Sequence, residues 1–256
     1  MPAALTLTEV VVAFGALRAV DGVSLSIPAG ERRAIIGPNG AGKTTLFQAI
    51  TGMVRATSGR VVFEDADITA LAPHQRARRG LSRTFQITNL FPTLTVRQNL
   101  FLALRGLAPG KFSLFGTPKP TANEARRTEA ALVAARLTGR EDIAVGALSY
   151  GEQRQVELAV SIVNQPRMLL LDEPAAGLSP NERAMVAEVI RALPRDITVV
   201  LIEHDMDLVL GLVDQVTCLH EGRVLLEAPP GEIRGHPAVQ EVYLGRAREA
   251  QVHAAG

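Results

Sequence analysis

Apolar and polar positions alternate along Leu5 to Val12 and along Val23 to Ile27, the two-residue period of strands with one buried face. Ala34 to Ile36 is instead a short unbroken apolar run, as expected of a strand covered on both faces, and it stops at a cluster of glycines. From Lys43 the spacing turns helical through Ile50, and Gly52 ends it. Gly59 to Phe63 predicts a strand and Pro73 to Arg79 a short basic helix. The middle of the chain differs in kind. Leu94 to Leu104 and Glu124 to Leu137 carry helical spacing, while Arg105 to Thr121 between them, rich in Gly, Pro and Lys, predicts an exposed loop. Strand and helix then alternate: a helix from Gly151 to Asn164, a buried strand from Met168 to Leu171, a helix from Asn181 to Leu193 and a strand from Thr198 to Ile202. Such alternation predicts a parallel sheet flanked by helices. A last strand pair, Gln215 to Leu219 and Arg223 to Glu227, is joined by His220 to Gly222 and followed by a tail from Pro229 to Leu244. No internal repeat or low-complexity tract stands out.

Composition narrows the picture. With 256 residues and 47% hydrophobic content the chain can bury a large core, which excludes a disordered or fibrous class. Lys plus Arg number 27 against 26 Asp plus Glu, so a net charge of +1 gives no electrostatic reason to bind nucleic acid or an anionic membrane surface. A membrane role then has to run through a protein partner. The single cysteine, Cys218, cannot form an internal disulfide; it fits a reducing compartment and is expected to pack in a strand. No stretch approaches the ~18 consecutive apolar residues of a bilayer-spanning helix. Met1 to Thr8 lacks the basic segment and apolar run of a secretion signal, so a cytoplasmic location is expected.

Two segments carry chemistry. Gly37-Pro38-Asn39-Gly40-Ala41-Gly42-Lys43-Thr44 matches the phosphate-binding loop pattern and lies between an expected strand and an expected helix, the context such a loop needs. Its glycines let backbone N–H groups turn inward around the phosphates of ATP, and the following helix aims its positive end at the same charge. Lys43 adds a point charge, the Thr44 hydroxyl can ligate Mg²⁺, and Thr45 completes the set of nucleotide-binding residues. Farther on, Met168 to Leu171 runs into Asp172-Glu173-Pro174, so two carboxylates emerge at the carboxyl end of a strand. Asp-Glu-Pro taken alone serves equally well as a strand stop. After a phosphate loop, however, the pair suits a division of labour in which Asp172 holds Mg²⁺ and Glu173 polarises the attacking water.

Leu148-Ser149-Tyr150-Gly151-Glu152-Gln153, followed by a helix and the acidic strand, resembles the signature motif of ABC ATPases, and the resemblance extends over essentially the whole chain. The same residues also read as a capping box, with Ser149 as N-cap and Glu152 three residues on. Ser149, the Gly151 backbone and the helix start make a second anion site, which in the family closes on the γ-phosphate held by the other subunit. The resemblance implies an α/β phosphate-loop NTPase with a RecA-like core, a mixed or parallel sheet, an N-terminal antiparallel β subdomain and a helical subdomain. It implies one domain over 1–256: a core from 1–90 and 165–245, a helical subdomain over about 91–164 and a tail over 246–256. Three further residues match family elements. Gln86, in Arg83-Thr84-Phe85-Gln86, resembles the glutamine that contacts Mg²⁺ and the attacking water; His204, the histidine that contacts the γ-phosphate; and Phe14, the aromatic that stacks on adenine. Catalysis is therefore expected from Glu173, His204 and Gln86, and metal binding from Thr44, Gln86 and Asp172. Ser179, in Ala176-Gly177-Leu178-Ser179, stands where many relatives carry aspartate.

Several segments resemble the longer of the two paired ATPases of branched-chain amino acid uptake systems: Leu90 to Val96, Asp172 to Pro180, Ile202 to Met206 and Tyr243 to Gly245. The partners so implied are a second ATPase, identical or not, two membrane permeases and, indirectly, a periplasmic or extracellular solute-binding protein, with the chain peripheral on the cytoplasmic face of the membrane and no nucleic acid involved. ATPases of importers for urea, short amides or other hydrophobic amino acids share this look, and on fold alone an ATPase of a lipid or lipopolysaccharide exporter is the alternative within transport. A non-transport nucleotide switch of the same superfamily is the alternative of another class.

Overall fold

The computed structural model describes residues 2–84, 90–107 and 120–243. In chain order its elements are β1 (Ala3–Phe14), β2 (Leu17–Pro28), β3 (Arg32–Ile36), α1 (Lys43–Thr51), β4 (Ser58–Phe63), β5 (Ala66–Asp67), α2 (Pro73–Arg78) and β6 (Leu81–Arg83). They continue with α3 (Val96–Leu107), α4 (Ala122–Ala134), a 3-10 turn (Val145–Ala147), α5 (Tyr150–Ile162), β7 (Met168–Asp172) and α6 (Pro180–Ala192). The last are β8 (Thr198–Ile202), α7 (Met206–Leu210), β9 (Gln215–His220), β10 (Arg223–Ala228) and α8 (Pro230–Ile233), with residues 237–243 also helical. The chain forms two compact units, residues 1–73 with 198–256, and residues 74–197.

The first unit holds two layers of strands. An antiparallel sheet runs in the order β2-β1-β4-β5, its β1–β2 hairpin closing Phe14 onto Leu17 over a two-residue turn with Gly15 at φ 61°. In a second sheet β3 lies between β8 and β9, parallel to both, and β10 returns antiparallel along β9. All five residues of β3 and all five of β8 are buried, which accounts for the apolar runs Ala34 to Ile36 and Val199 to Ile202 within them. Two arginines sit in β3 nonetheless. Arg33 is accommodated by ion pairs to Glu31 and Glu227 and a 3.0 Å hydrogen bond to the Thr217 hydroxyl. Helix α1 packs on β1 and β2 and buries Leu46, Phe47 and Ile50 completely, each worth roughly 1.5–3 kcal/mol of apolar transfer.

In the second unit β6 and β7 pair in parallel, and helices α3, α4 and α5 pack on one another, with α6 against α5. Asn99 is buried on α3, where its amide both donates to and accepts from the Phe91 backbone, pinning the segment that leads into the helix. Gln155 of α5 donates to the Ala135 carbonyl at the end of α4.

The expected elements are present with shifted ends, and some features differ. β1 and β2 are each 12 residues long because pairing extends them past their apolar cores. The expected loop from Arg105 to Thr121 is shortened at both ends, since Arg105 belongs to α3 and stacks 4.8 Å over the Phe101 ring, and Thr121 caps α4; residues 108–119 lie outside the described residues. The tail beginning at Pro229 is helical over Pro230–Ile233 and over residues 237–243.

Candidate nucleotide site

The phosphate loop begins where β3 stops. Gly37 has φ 145° and Gly42 φ 97°, and a Cβ on either would overlap a main-chain carbonyl oxygen, that of Leu219 in β9 or that of Ala19 in β2. Only glycine passes there. Inside the loop the Ala41 N–H donates to the Pro38 carbonyl at 3.1 Å, and the Gly222 N–H donates to the Ala41 carbonyl at 3.1 Å. The Lys43 ammonium reaches back to the carbonyls of Gly37 at 2.6 Å and Pro38 at 3.0 Å. Helix α1 is capped by Gly42, which has no side chain to occupy the first N–H groups, and no acidic residue stands in its first turn. Its positive end is therefore offered to an anion. Gly37, Pro38 and Ala41 are buried, Lys43 and Thr45 half-buried, and Asn39, Gly40 and Thr44 exposed.

Two more expected residues lie in the same unit. Phe14 stands at the tip of the β1–β2 hairpin, 52% exposed, so its ring is on the surface rather than in the core. His204 follows β8 with its side chain 66% exposed, while its backbone N–H donates at 3.2 Å to the buried Glu203 carboxylate.

Cys218 lies within β9, buried in its strand as expected; burial pushes its thiol up to about 11 despite the opposing pull of Lys43. Nearby, the Tyr243 hydroxyl accepts a 3.0 Å hydrogen bond from the Gly37 N–H. Burial raises the Tyr243 phenol above its ordinary value, with the Gly37 bond acting the other way.

The second unit carries the acidic strand and the signature. Asp172 ends β7 fully buried, with its N–H donating to the Thr84 hydroxyl at 3.3 Å and its carboxylate held by Arg83 at 2.6 Å. Glu173 follows in the left-handed region at φ 48°, a conformation costing a non-glycine residue on the order of 1–3 kcal/mol. The backbone thus breaks direction at the residue expected to face the reacting water. Gln86 lies outside the described residues.

Ser149 caps α5: its hydroxyl accepts from the Glu152 N–H at 3.2 Å, while Glu152 accepts from the Ser149 N–H at 2.9 Å. Gln153 donates to the Leu148 carbonyl at 3.1 Å. Tyr150 is exposed, and Arg154 bonds its hydroxyl at 3.2 Å. The Gly151 N–H donates at 3.0 Å to Glu182 of α6, and a Cβ on Gly151 would meet that side chain at 2.7 Å. Glu182 also accepts from the Ser179 hydroxyl and N–H, at 2.7 and 2.9 Å. Those donors, the Ser179 hydroxyl first, hold its carboxyl below the usual range.

Arg83, Glu182 and Tyr243 are absent from the expected set. Ser179-x-x-Glu182 is a helix-start pattern that points to Glu182, but the pairings of Arg83 and Tyr243 are long-range.

Residues 20–176, more than half of the chain, match the family described as ABC transporter. The chain is a member of the ABC transporter ATPase family. Residues 223–249 of this ABC ATPase also match the family described as branched-chain amino acid ATP-binding cassette transporter. It is 39% identical over 255 residues to the high-affinity branched-chain amino acid transport ATP-binding protein LivG of Escherichia coli strain K12, covering 95% of this chain and 98% of that protein. Among solved structures it resembles the ADP conformation of MJ1267, an ATP-binding cassette of an ABC transporter, with TM-score 0.84 and 32% identity over 96% of this chain and 100% of the other. It also resembles the dimeric post-hydrolysis state of the cassette MJ0796 bound to ADP and Pi, with TM-score 0.73 and 25% identity over 88% and 98%. The fold is accordingly that of a phosphate-loop ABC ATPase, and the chain binds and hydrolyses ATP. Among the described residues no helix is long and apolar enough to cross a membrane.

Proposed function

We propose that the chain energises the import of branched-chain amino acids by closing on a second ATPase subunit around ATP. The observation that carries the substrate class is the match of its C-terminal residues 223–249 to the branched-chain amino acid group. Closure follows from incompleteness. Each subunit offers one phosphate loop and one signature, and the Ser149 hydroxyl and helix α5 form an anion site suited to a nucleotide that the partner holds. We assign the nucleotide to Gly37 through Thr45 with Phe14 against the base, the signature role to Leu148 through Gln153, and the polarisation of the attacking water to Glu173 with help from His204 and Gln86. Residues 91–164 are taken as the helical subdomain that carries the signature within a single domain.

Mg²⁺ takes one or two carboxylates together with substrate phosphates, and the Thr44 hydroxyl, the Asp172 carboxylate and the Gln86 amide are hard oxygen donors of that kind. When bound, the ion would neutralise charge on the phosphate oxygens. The chain's own residues do the rest: Lys43 and the α1 amides bind the phosphates, and Glu173 orients the water. Loss of the γ-phosphate removes the anion joining the halves, so the pair reopens and the attached permeases reset. We place the pair on the cytoplasmic face of the membrane, bound to two permease subunits fed by a solute-binding protein.

A Glu173→Gln chain is expected to bind ATP, associate with its partner and stall; turnover at the parental rate would remove Glu173 from this role. Cells lacking the chain are expected to lose high-affinity leucine uptake while keeping urea and amide uptake, and the reverse pattern would reassign the substrate.

A further inference from the structure

We infer that Tyr243 is a positioning residue for nucleotide binding: from the C-terminal helix, its phenol fixes the peptide at which β3 turns into the phosphate loop. The parallel ladder between β3 and β9 ends at the pair Ile36 and Cys218. Gly37 is the first residue beyond it, buried, with its N–H past the last register position. A buried amide without an acceptor is costly, so the chain would turn here to find one. The acceptor supplied is the Tyr243 hydroxyl, at 3.0 Å.

The other side of Gly37 is held differently. Its carbonyl accepts from the Lys43 ammonium at 2.6 Å, as does that of Pro38 at 3.0 Å. Lys43 is the cation the loop offers to a phosphate, so this hold is shared with the nucleotide as soon as one arrives. The bond from Gly37 to Tyr243 is made by neither nucleotide nor Lys43 and persists through that exchange of partners. Because Gly37 has no side chain and lies against the Leu219 carbonyl, backbone hydrogen bonds are what set its orientation. Tyr243 therefore keeps the loop in its receptive shape before ATP binds, and a site that is already shaped binds more tightly than one that must be ordered.

This role rests on the phosphate-loop reading, and the test separates the two. In the purified full-length chain, Tyr243→Phe keeps the ring and removes only the acceptor. Titration with fluorescent N-methylanthraniloyl ATP and ADP is expected to show Kd raised about three- to ten-fold for both, the range of one net hydrogen bond. KM for ATP should rise in step, with kcat within about two-fold of the parent, and the thermal midpoint should fall by a few degrees as one buried donor loses its acceptor. A merely structural tyrosine would lower the midpoint and leave Kd alone. An unchanged Kd, or a fall in kcat at constant Kd, overturns the assignment. Lys43→Ala run in parallel reports on the loop itself: if that variant also binds nucleotide like the parent, the phosphate-loop reading fails instead.

Discussion

Replacing Ser149 by aspartate separates two roles that coincide in one hydroxyl. As an N-cap, Ser149 receives the Glu152 N–H at 3.2 Å and its own N–H is received by Glu152 at 2.9 Å. Losing such a cap costs about 1 kcal/mol, which in a chain of this size lowers the thermal midpoint by roughly 2–4 °C. Aspartate is as good a cap as serine, so Ser149→Asp should melt with the parent. The signature role reads the same change oppositely, because a carboxylate is placed where a γ-phosphate has to sit. Two unit charges about 4 Å apart at an effective dielectric constant near 20 repel by about 4 kcal/mol. That corresponds to roughly a thousand-fold loss of ATP-driven association. Sedimentation of the Ser149→Asp chain in a Glu173→Gln background, with and without ATP, measures this directly. If it melts with the parent and still associates with parental affinity, Ser149 is a helix cap and nothing more, and the closing of two half-sites loses its support.

Two other outcomes follow from the same geometry. Lys43→Ala should reduce ATP affinity by at least an order of magnitude in equilibrium dialysis, since it removes the ammonium placed against the loop carbonyls. Cys218 supplies a pH signature: its thiol has an ordinary value of 9.0 and is pushed to about 11 in the fold, so the folded state holds the proton more tightly than the unfolded one. The resulting stability is fully present below about pH 9 and is lost as pH climbs towards 11. Denaturant titrations at pH 8 and 10.5 should show a decline that Cys218→Ala reduces.

Legibility in the sequence followed the range of the interactions involved. The strand into the phosphate loop, the glycines and the signature cap are set by neighbours a few positions apart, and each was readable. The short strand β5 was not, because its hairpin turns on Glu64 and Asp65, both at positive φ without a glycine to announce it. β6 has three residues and exists through its pairing with β7, a contact no local pattern encodes. α7 spans five residues, and its signal was Asp205, whose carboxylate accepts from the N–H groups of Asp207 and Leu208. The C-terminal segment read as a tail because Gly231 and Gly235 interrupt any apolar period, yet its last described residue bonds a partner 206 positions away. The side chains expected in the candidate site follow from residue type and spacing, whereas Arg83, Glu182 and Tyr243 meet Asp172, Gly151 and Gly37 through tertiary contacts that no local pattern announces.

The seating of the loop against main chain also limits how the protein can recover from damage there. The atoms that a new methyl group at position 37 or 42 would strike are the carbonyl oxygens of Leu219 and Ala19, which every amino acid carries. Trimming the opposing side chain cannot make room, so a suppressor screen starting from either lesion should return reversion to glycine rather than a compensating change at 19 or 219.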